Sequence, residues 1–398
     1  MINSKIEMNV YKGVAFMGVV ITGMGIIGPG FTSIESYTNI LKTGTSVLKR
    51  EKMKNKFIHT GRVQSEEMNL TFEKGNRYPK SAKMLLHASE MAVQMARVTP
   101  RDYKTAVIIG SSGGVISEVA NHTSEMETGK RLGPYAIGNM NANTLSSSIN
   151  AQYHLNGMSF TLANSCTSGM DALHLAKILI RSKEVDLCIV GGVDATVNDL
   201  VLQSFLPLRV LQTGETLSGP FSGGEGFAMS EGAGVLIVED EKSALNRGAD
   251  ILGVVKATSI TQDARSPFLS DSLGGAMLKA ADECIGTSMP SYINSQALGI
   301  EENDAIEAMV YERKFTGSSI PITSIKGMVG HAMGASGTFQ IIASLISLKE
   351  QFIPPTIHSN PTKYKNLPII REKMDAPVES VFITTHGYGG NNGCAWIS

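Results

Sequence analysis

One cysteine lies where its thiol could act as a nucleophile. Cys166 occurs in SFTLANSCTSGMDALHLAK, where a short apolar run is followed by small residues and then by a helical pattern. We therefore expect the thiol at a helix N-terminus, where unpaired N–H groups and the helix dipole stabilise a thiolate. Gly169 would let a substrate approach the backbone, and a free N–H beside the thiol could hold an oxyanion. The alternative is a small apolar core residue, the usual role of a free cysteine.

A reactive thiol needs a base or a donor, and two of the eight histidines follow strand-like segments in glycine-rich turns. His331 belongs to ITSIKGMVGHAMGASG, in which Lys326 lies five residues earlier. His386 belongs to TTHGYGGNNG. The other six histidines are predicted to be surface or helix-face residues. His331 and His386 are therefore the candidate partners of Cys166.

Composition excludes several other classes of function. The chain of 398 residues has 35 basic and 36 acidic side chains, so no overall basic field would attract nucleic acid or an anionic membrane. Its four cysteines form no CxxC pair, which argues against a metal site and fits a reducing cytoplasm. The uncharged segment 13–34 contains six glycines and Pro29, and we predict a buried strand there rather than a membrane span.

The elements that must position these residues alternate between strands and helices. Apolar, β-branched runs bounded by glycine predict strands at 18–25, 105–110, 159–164, 186–192, 234–240, 251–258, 291–294 and 379–385. Helical spacing predicts helices at 81–97, 167–181, 274–283, 304–314 and 334–348. This alternation predicts an α/β fold with a largely parallel sheet.

The two halves of the chain look loosely alike. NSCTSGMDALHLAKIL and GHAMGASGTFQIIASL each place a turn of small residues before a helix. We therefore expect one compact body built from a duplicated unit. Residues 1–240 would form the half that carries the cysteine, and residues 241–398 the half that carries its partners.

Five motifs, in this order, resemble those of the β-ketoacyl-acyl-carrier-protein synthases, or ketosynthases, of the thiolase superfamily. They are VVITGMGIIGPG, NSCTSGMDAL, GPFSGGEGFAMSEGAGVLIVE, SIKGMVGHAMGASG and HGYGGNNG. The second is similar to the CTSGLDA form of type II polyketide synthases. The resemblance implies a thiolase-like, five-layer αβαβα architecture of two βαβ halves. It also implies an acyl group carried on the cysteine and a malonyl unit brought by an acyl carrier protein.

The resemblance also implies roles for single residues. Cys166 would be the acyl acceptor, His331 the second family histidine and Lys326 the lysine of the same motif. The closing motif would supply an aromatic gate and its turn, at Tyr388, Gly389, Gly390 and Asn392. No metal and no resident cofactor is implied, because the substrates arrive on the phosphopantetheine of the carrier protein.

The sequence departs from the family where the motif normally reads VNAHGTSTPLNDAIE. INSQALGIEENDAIE stands there, so Gln296 replaces the first family histidine, and Leu298 and Ile300 replace two hydroxyl residues expected at the pantetheine arm. An amide can donate a hydrogen bond to the enolate oxygen formed on decarboxylation, but it cannot act as an acid or base. Losing such a donor costs about 3–4 kcal/mol. His386, at a position usually aromatic, is either a second donor or a packed wall residue.

We therefore expect a condensing-type acyltransferase with a Cys–Gln–His site, acting in a cytoplasmic type II polyketide or fatty-acid pathway. Its partners would be an acyl carrier protein and a second subunit, in a homodimer or a heterodimer. One alternative is a non-catalytic subunit akin to chain-length factors, which generally lose the cysteine that this chain keeps. The other is acyl transfer to an amine, an alcohol or water, without carbon–carbon bond formation.

Overall fold

The computed structural model describes residues 18–53, 56–64, 67–68, 77–224, 226–360 and 362–398. Its strands are β1 (Val19–Ile27), β2 (Lys49–Met53), β3 (Lys56–Gly61), β4 (Thr105–Gly110), β5 (Ser159–Leu162), β6 (Leu187–Asp194), β7 (Met229–Ser230), β8 (Gly232–Asp240), β9 (Gly253–Gln262), β10 (Tyr292–Asn294), β11 (Ile322–Thr323), β12 (Phe352–Ile353), β13 (Met374–Asp375), β14 (Val381–Gly387) and β15 (Asn391–Ile397). Its helices are α1 (Ile34–Thr43), α2 (Lys80–Ala96), α3 (Ile116–Glu127), α4 (Ala136–Asn139), α5 (Thr144–Tyr153), α6 (Ser168–Arg181), α7 (Asp199–Phe205), α8 (Glu241–Asn246), α9 (Gly275–Ile285), α10 (Glu301–Lys314), α11 (Lys326–Val329) and α12 (Ser336–Glu350).

Ten strands form one sheet in the order β11-β10-β14-β15-β9-β1-β8-β6-β4-β5. The first five positions and the last five repeat one arrangement, because β9, β10, β11, β14 and β15 take the places that β1, β4, β5, β6 and β8 take in the other half. The halves meet where β1 pairs with β9 over two residues. The division of the chain at residue 240 stays a prediction.

The expectation of a largely parallel sheet is wrong. Strand β4 pairs in parallel with β5 and β6, and β10 with β11 and β14. The pairs β1–β8, β1–β9, β6–β8, β14–β15 and β9–β15 are antiparallel. Strand β15 follows β14 after three residues, and a connection this short can join only antiparallel neighbours.

Five layers result from the packing of the helices. Helices α6 and α12 contact strands of both half-sheets and each other, so they form the central layer. Helices α2 and α5 cover the outer face of the first half-sheet, and α9 and α10 lie outside the second. The αβαβα architecture implied by the resemblance is confirmed.

Most predicted elements are present within a few residues of their expected bounds. Segment 13–34 enters β1, whose nine residues are all buried because the strand is covered on both faces. Its residues 13–17 lie outside the described part of the chain. Among the described residues, the helices are too short or too polar to cross a bilayer.

Candidate active site

The turn before α6 presents Cys166. The residue lies in the single 3₁₀ turn Ser165–Thr167, between β5 and α6, and Ser165 has a φ of 58°, in the left-handed region that strains a residue with a Cβ. Ser168 holds this elbow together. Its Oγ accepts a hydrogen bond from the N–H of Asn164 at 2.9 Å and lies 2.6 Å from the carbonyl oxygen of Ser165, to which it donates. The position of the thiol is thus fixed by the backbone of this turn.

His331 is fixed through both its backbone and its ring. Its N–H donates to the carbonyl of Ala228, and its own carbonyl accepts from the N–H of Ser230, each at 2.9 Å. The ring lies edge-on to Phe227, with centroids 5.1 Å apart and an interplanar angle of 89°. Nδ1 lies 3.0 Å from Oγ of Ser336, the first residue of α12. The other ring nitrogen is therefore free to face Cys166.

Close backbone contact between α6 and the turn after His331 brings Cys166 and His331 together. A Cβ added at Gly169 would lie 2.7 Å from the carbonyl oxygen of Gly334, so only glycine permits this approach of α6 to the turn after His331. The N–H of Gly334 donates to the buried carboxylate of Asp194 at 2.6 Å, which holds that turn. The result is a distance of 3.0 Å between Cys166 Sγ and His331 Nε2.

The protonation state of Cys166 beside His331 differs from the thiolate that the sequence predicted. Burial raises the pKa of the Cys166 thiol to about 11, and the neighbouring Ser165 hydroxyl only partly opposes this shift. Burial, reinforced by the Lys326 ammonium, lowers the pKa of His331 well below its ordinary value of 6.5. The resting pair is therefore a neutral thiol donating to a neutral imidazole. His331 can take the thiol proton during attack, as a general base does.

The closing loop reaches the thiol with its backbone. The N–H of Tyr388 donates to Cys166, which helps to stabilise charge on sulfur. The Tyr388 ring, expected as a gate, is 52% exposed and faces Phe268 with centroids 6.2 Å apart. Gly389 and Gly390 form the turn with φ values of 83° and 84°, where a Cβ would be strained.

Gln296 is buried at the start of the altered motif. Its backbone N–H donates to Thr384 Oγ1 at 3.3 Å, and its side-chain Nε2 donates to the carbonyl oxygen of His386 at 3.2 Å. Its Oε1 has no hydrogen-bond partner among the described residues. The side chain borders a cavity of about 20 Å³, also lined by Leu298 and Glu307, which has room for one water molecule. One N–H of the amide is not used in these contacts.

His386 is held by a hydrogen bond on the Nδ1 side of its ring. Asn392 Nδ2 donates to Asp263 and to the carbonyl of Gly390, so Asn392 Oδ1 is the acceptor in its 3.1 Å contact with His386 Nδ1. Nε2 lies 3.3 Å from a carboxylate oxygen of Glu307, at an angle that does not complete a hydrogen bond. Burial lowers the pKa of His386 to about 4. The burial of His386 and its bond to Asn392 are compatible with a packed wall residue, and the choice between the two expectations stays a prediction.

Lys326 is near enough to Cys166 and His331 to influence the pKa of both, but its hydrogen bond goes to neither of them. The residue is buried at the start of α11, and its Nζ donates to Gln340 Oε1 at 3.3 Å. Burial lowers the pKa of Lys326 to about 8, and the Glu307 carboxylate partly opposes this shift. Glu307 in turn accepts hydrogen bonds from Ser295 and Tyr311. These residues therefore form a set of buried polar contacts beside the site.

Leu298 and Ile300 pack in the apolar surroundings that also include Cys166. Leu298 and Cys166 belong to the same apolar cluster, and Ile300 packs against it. The carboxylate of Asp304 accepts from the N–H of Leu298 at 2.9 Å and fixes the turn. The other members of the cluster are Met53, Ile58, Val197, Val201, Leu202, Leu211, Phe227, Met229 and Met333. Leu298 and Ile300 thus present apolar side chains where the resemblance implied hydroxyl groups.

Sequence reasoning missed several residues that the site uses. Ser336 lies five residues after His331 in the quoted motif, so its proximity could have been read from the turn–helix pattern. Glu307 served only to align the altered motif, and Gln340 carried no signal, because its partners are distant in sequence. Among the described residues, no three acids, histidines or cysteines are close enough to hold a metal ion.

Comparison with known proteins agrees with this geometry. The family model described as "Beta-ketoacyl synthase, N-terminal domain" matches residues 17–244, and "Beta-ketoacyl synthase, C-terminal domain" matches residues 252–360. The chain therefore belongs to the β-ketoacyl synthase family. Its fold is that of the thiolase-like ketosynthases.

Individual relatives cover nearly the whole chain. The "3-oxoacyl-[acyl-carrier-protein] synthase 1" of Buchnera aphidicola subsp. Baizongia pistaciae (strain Bp) is 27% identical over 403 aligned positions, covering 94% of this chain and 97% of that protein. The "Putative polyketide beta-ketoacyl synthase 1" of Streptomyces halstedii is 26% identical over 94% of this chain and 96% of its own. The structure titled "The ishigamide ketosynthase/chain length factor" aligns with a TM-score of 0.87 and 25% identity, over 96% of this chain and 99% of that one.

Proposed function

We propose that this chain is a condensing-type acyltransferase that takes an acyl group from an acyl carrier protein onto Cys166. The observation that carries the proposal is the 3.0 Å contact between Cys166 Sγ and His331 Nε2, with Ser336 behind the ring. Gln296 takes the place of the first family histidine, so the site has a Cys–Gln–His set. The pathway proposed for it is type II polyketide or fatty-acid synthesis.

Cys166 and His331 together account for the proton that moves during acylation. Sγ attacks the carbonyl carbon of the carrier thioester, its proton passes to His331 Nε2, and the leaving pantetheine thiol takes that proton back. The N–H of Tyr388, which donates to Sγ, lies at the reacting atom, so it can follow the charge as it moves from sulfur toward the carbonyl oxygen. The substrates arrive on phosphopantetheine, so the proposed reaction uses no resident cofactor.

The condensation step depends on the hydrogen bond that Gln296 would donate. The malonyl unit loses CO₂, the enolate carbon attacks the acyl-Cys166 carbonyl, and the released thiolate takes up one proton. The free N–H of the Gln296 amide donates to the enolate oxygen, in the role of the missing imidazole. His331 donates a second hydrogen bond to the same oxygen once its proton has moved from Nδ1 to Nε2, a tautomer in which the Ser336 hydroxyl donates to Nδ1.

The proposed partners follow from the relatives. The Buchnera relative is named for acyl-carrier-protein substrates, and the ishigamide structure pairs a ketosynthase with a chain-length factor. We therefore propose an acyl carrier protein as substrate carrier and a second ketosynthase-like subunit, identical or different, as structural partner. The four unpaired cysteines support a cytoplasmic location.

Intact-mass measurement tests the proposal. The purified chain is mixed with an acyl thioester of a type II acyl carrier protein, and the mass of the chain is followed with time. We expect the mass of one acyl group to be added, and Cys166→Ala to abolish the addition. Absence of the adduct with every carrier tried, with and without a co-expressed ketosynthase, would contradict the proposal.

A chain-length-factor-like role is the second candidate. The exchange of a titratable histidine for Gln296, and the apolar Leu298 and Ile300, favour it because they weaken the decarboxylation site. This candidate predicts co-purification with an active ketosynthase and no adduct on Cys166. Acylation followed by no CO₂ release from a malonyl carrier would instead favour transfer to an amine, an alcohol or water.

A further inference from the structure

Asp194 is a buried carboxylate at the end of β6. Its side chain is excluded from solvent and accepts four hydrogen bonds from neutral groups. Oδ1 accepts from the hydroxyl of Ser111 at 2.9 Å and from the N–H of Gly113 at 2.8 Å. Oδ2 accepts from the N–H of Ser112 at 2.9 Å and from that of Gly334 at 2.6 Å. Both oxygens act only as acceptors, so the ionised form of the side chain fits this position.

The four donors belong to two separate segments of the chain. Three of them come from residues 111–113, directly after β4, which we call the β4 turn. The fourth, Gly334, ends the segment 331–334 that begins with His331, which we call the histidine turn. A Cβ added at Gly334 would lie 2.6 Å from the nitrogen of Ser112, so the two turns approach each other at a glycine. Asp194 therefore joins the β4 turn to the histidine turn.

The β4 turn also contacts the segment that presents Cys166. Ser168 Oγ, which holds the turn around Cys166, lies 3.2 Å from the carbonyl oxygen of Ser111. A Cβ added at Gly110, the last residue of β4, would collide with the backbone of Ser168, so β4 ends directly against the start of α6. A continuous set of contacts therefore runs from the histidine turn through Asp194 and the β4 turn to the nucleophile.

The charge of Asp194 acts on the same thiol. Burial raises the pKa of Asp194 to about 6, and its hydrogen bonds oppose this shift, so the carboxylate is ionised at pH 8. Burial is the largest cause of the raised pKa of the Cys166 thiol, and the negative charge of Asp194 adds to it. Removing the charge should therefore favour the thiolate, whereas removing the hydrogen bonds should disturb the alignment of Cys166 with His331.

We propose that Asp194 is a positioning residue, which holds Cys166 against His331 by joining the histidine turn to the β4 turn. This inference rests on the proposed acyl transfer, in which the thiol proton passes to His331. The hydrogen bonds of Asp194 go to neither reacting side chain, so it acts through the backbone that it holds. A displacement of reacting groups by about 1 Å can slow a reaction by about 10²-fold.

Asp194→Asn tests the positioning role. The amide keeps the size of the carboxylate, but in either orientation its NH₂ group faces two donors, so two hydrogen bonds are lost. We expect the maximum rate of Cys166 acylation to fall about 10–100-fold, with KM for the acyl carrier thioester nearly unchanged. Asp186→Asn, the same exchange at an exposed position before β6, is the matched control and should behave as the wild type. A maximum rate close to that of the wild type, or a loss confined to KM, would overturn the inference.

The reactivity of the thiol gives a second readout. At pH 8 we expect iodoacetamide to modify Cys166 of Asp194→Asn about two- to fivefold faster than in the wild type, because its thiol pKa falls. The other three cysteines are buried and should stay unmodified in the intact mass, which shows that the variant is folded. Slower alkylation together with slower acylation would mean that the thiol itself is impaired, and would overturn the inference.

Ser111→Ala is the milder variant if Asp194→Asn does not fold. It removes one of the hydrogen bonds to Asp194 and leaves the three backbone donors, so acylation should slow about fivefold. An unchanged rate would overturn the inference.

Crystal structures of the wild type and the folded variant separate this inference from the proposed function, because they need no acyl donor. We expect the distance between Cys166 Sγ and His331 Nε2 to lengthen in the variant from 3.0 Å to beyond hydrogen-bond reach. The same 3.0 Å contact in both structures would overturn the positioning role. Failure of acylation in the wild type would contradict the proposed function, while the structures would still decide the role of Asp194.

Discussion

The candidate site has two sides that differ in their hydrogen bonding: the nucleophile side, formed by Cys166, His331 and Ser336, and the amide side, formed by Gln296. Cys166, His331 and Ser336 form one line of contacts, with 3.0 Å between Sγ and Nε2 and 3.0 Å between Nδ1 and Oγ. On the amide side, Gln296 donates to the backbone of His386 and leaves its Oε1 without a partner among the described residues. The first side is complete for proton transfer, and the second offers one hydrogen-bond donor that cannot titrate.

This difference separates two steps that a ketosynthase joins. In the proposed acylation, Cys166 is the thiol, His331 is the base and the N–H of Tyr388 is a donor beside the sulfur. In the proposed decarboxylation, the Gln296 amide is a donor at the enolate oxygen. Substitutions on the two sides should therefore affect different measured rates.

The largest expected effect is on the base. His331→Asn removes the acceptor of the thiol proton while keeping a polar side chain of similar reach. We expect the acylation rate to fall by roughly 10²–10⁴, the usual contribution of general acid–base catalysis. The rate is read from the intact mass with time, and thermal unfolding checks that the variant is folded. A loss smaller than threefold would show that His331 is not the base.

Gln296→Ala tests the other side. Without the amide donor we expect CO₂ release from a malonyl carrier to fall by about 10²–10³, with acylation of Cys166 unchanged. Gln296→His is the matched variant, and it should restore or exceed the wild-type release. Equal loss of acylation and decarboxylation in Gln296→Ala would mean that the two sides do not act separately.

The pH dependence of alkylation tests the state of the thiol. Iodoacetamide reacts with the thiolate form of cysteine. Because burial raises the pKa of Cys166 to about 11, its thiol is protonated at neutral pH in the folded protein. We expect the alkylation rate to rise about tenfold for each pH unit between pH 7 and 10, below that pKa. A plateau above pH 7 would reveal the low-pKa thiolate that the helix N-terminus alone predicted.

The smallest effect is expected at the residue behind the histidine. Ser336→Ala removes one neutral hydrogen bond to Nδ1, worth about 1 kcal/mol, so acylation should slow roughly fivefold. Because Ser336 only orients the ring, Ser336→Thr should recover most of the rate. If Ser336→Ala is as damaging as His331→Asn, the serine has a larger role than orientation.

The fold could be predicted from the sequence where its elements are local. The strand at 105–110 and the helix beginning near Cys166 follow from apolar runs and helical spacing, and both lie where expected. Strand β15 was missed because it begins inside HGYGGNNG, which signals a turn, and because its pairing with the distant β9 leaves no local pattern. The antiparallel pairs were missed for the same reason.

The candidate site shows a similar division. Cys166 and His331 could be singled out from motifs because each lies at a turn before a helix, and the structure places them in contact, while their roles stay predictions. The protonated thiol could not be inferred, because burial depends on the packing of both halves around it. The approach of His386 to Glu307 also involves segments far apart in the chain, so no local sequence pattern predicts it.

The mass of the intact chain after two successive additions tests the central claim most directly. An acyl carrier thioester is added first, and the malonyl carrier is added after the excess acyl donor is removed. We predict an adduct confined to Cys166 in the wild type and in Gln296→Ala, and discharge of that adduct by the malonyl carrier much faster in the wild type. An adduct that never forms, or one that survives in Cys166→Ala, would contradict the account.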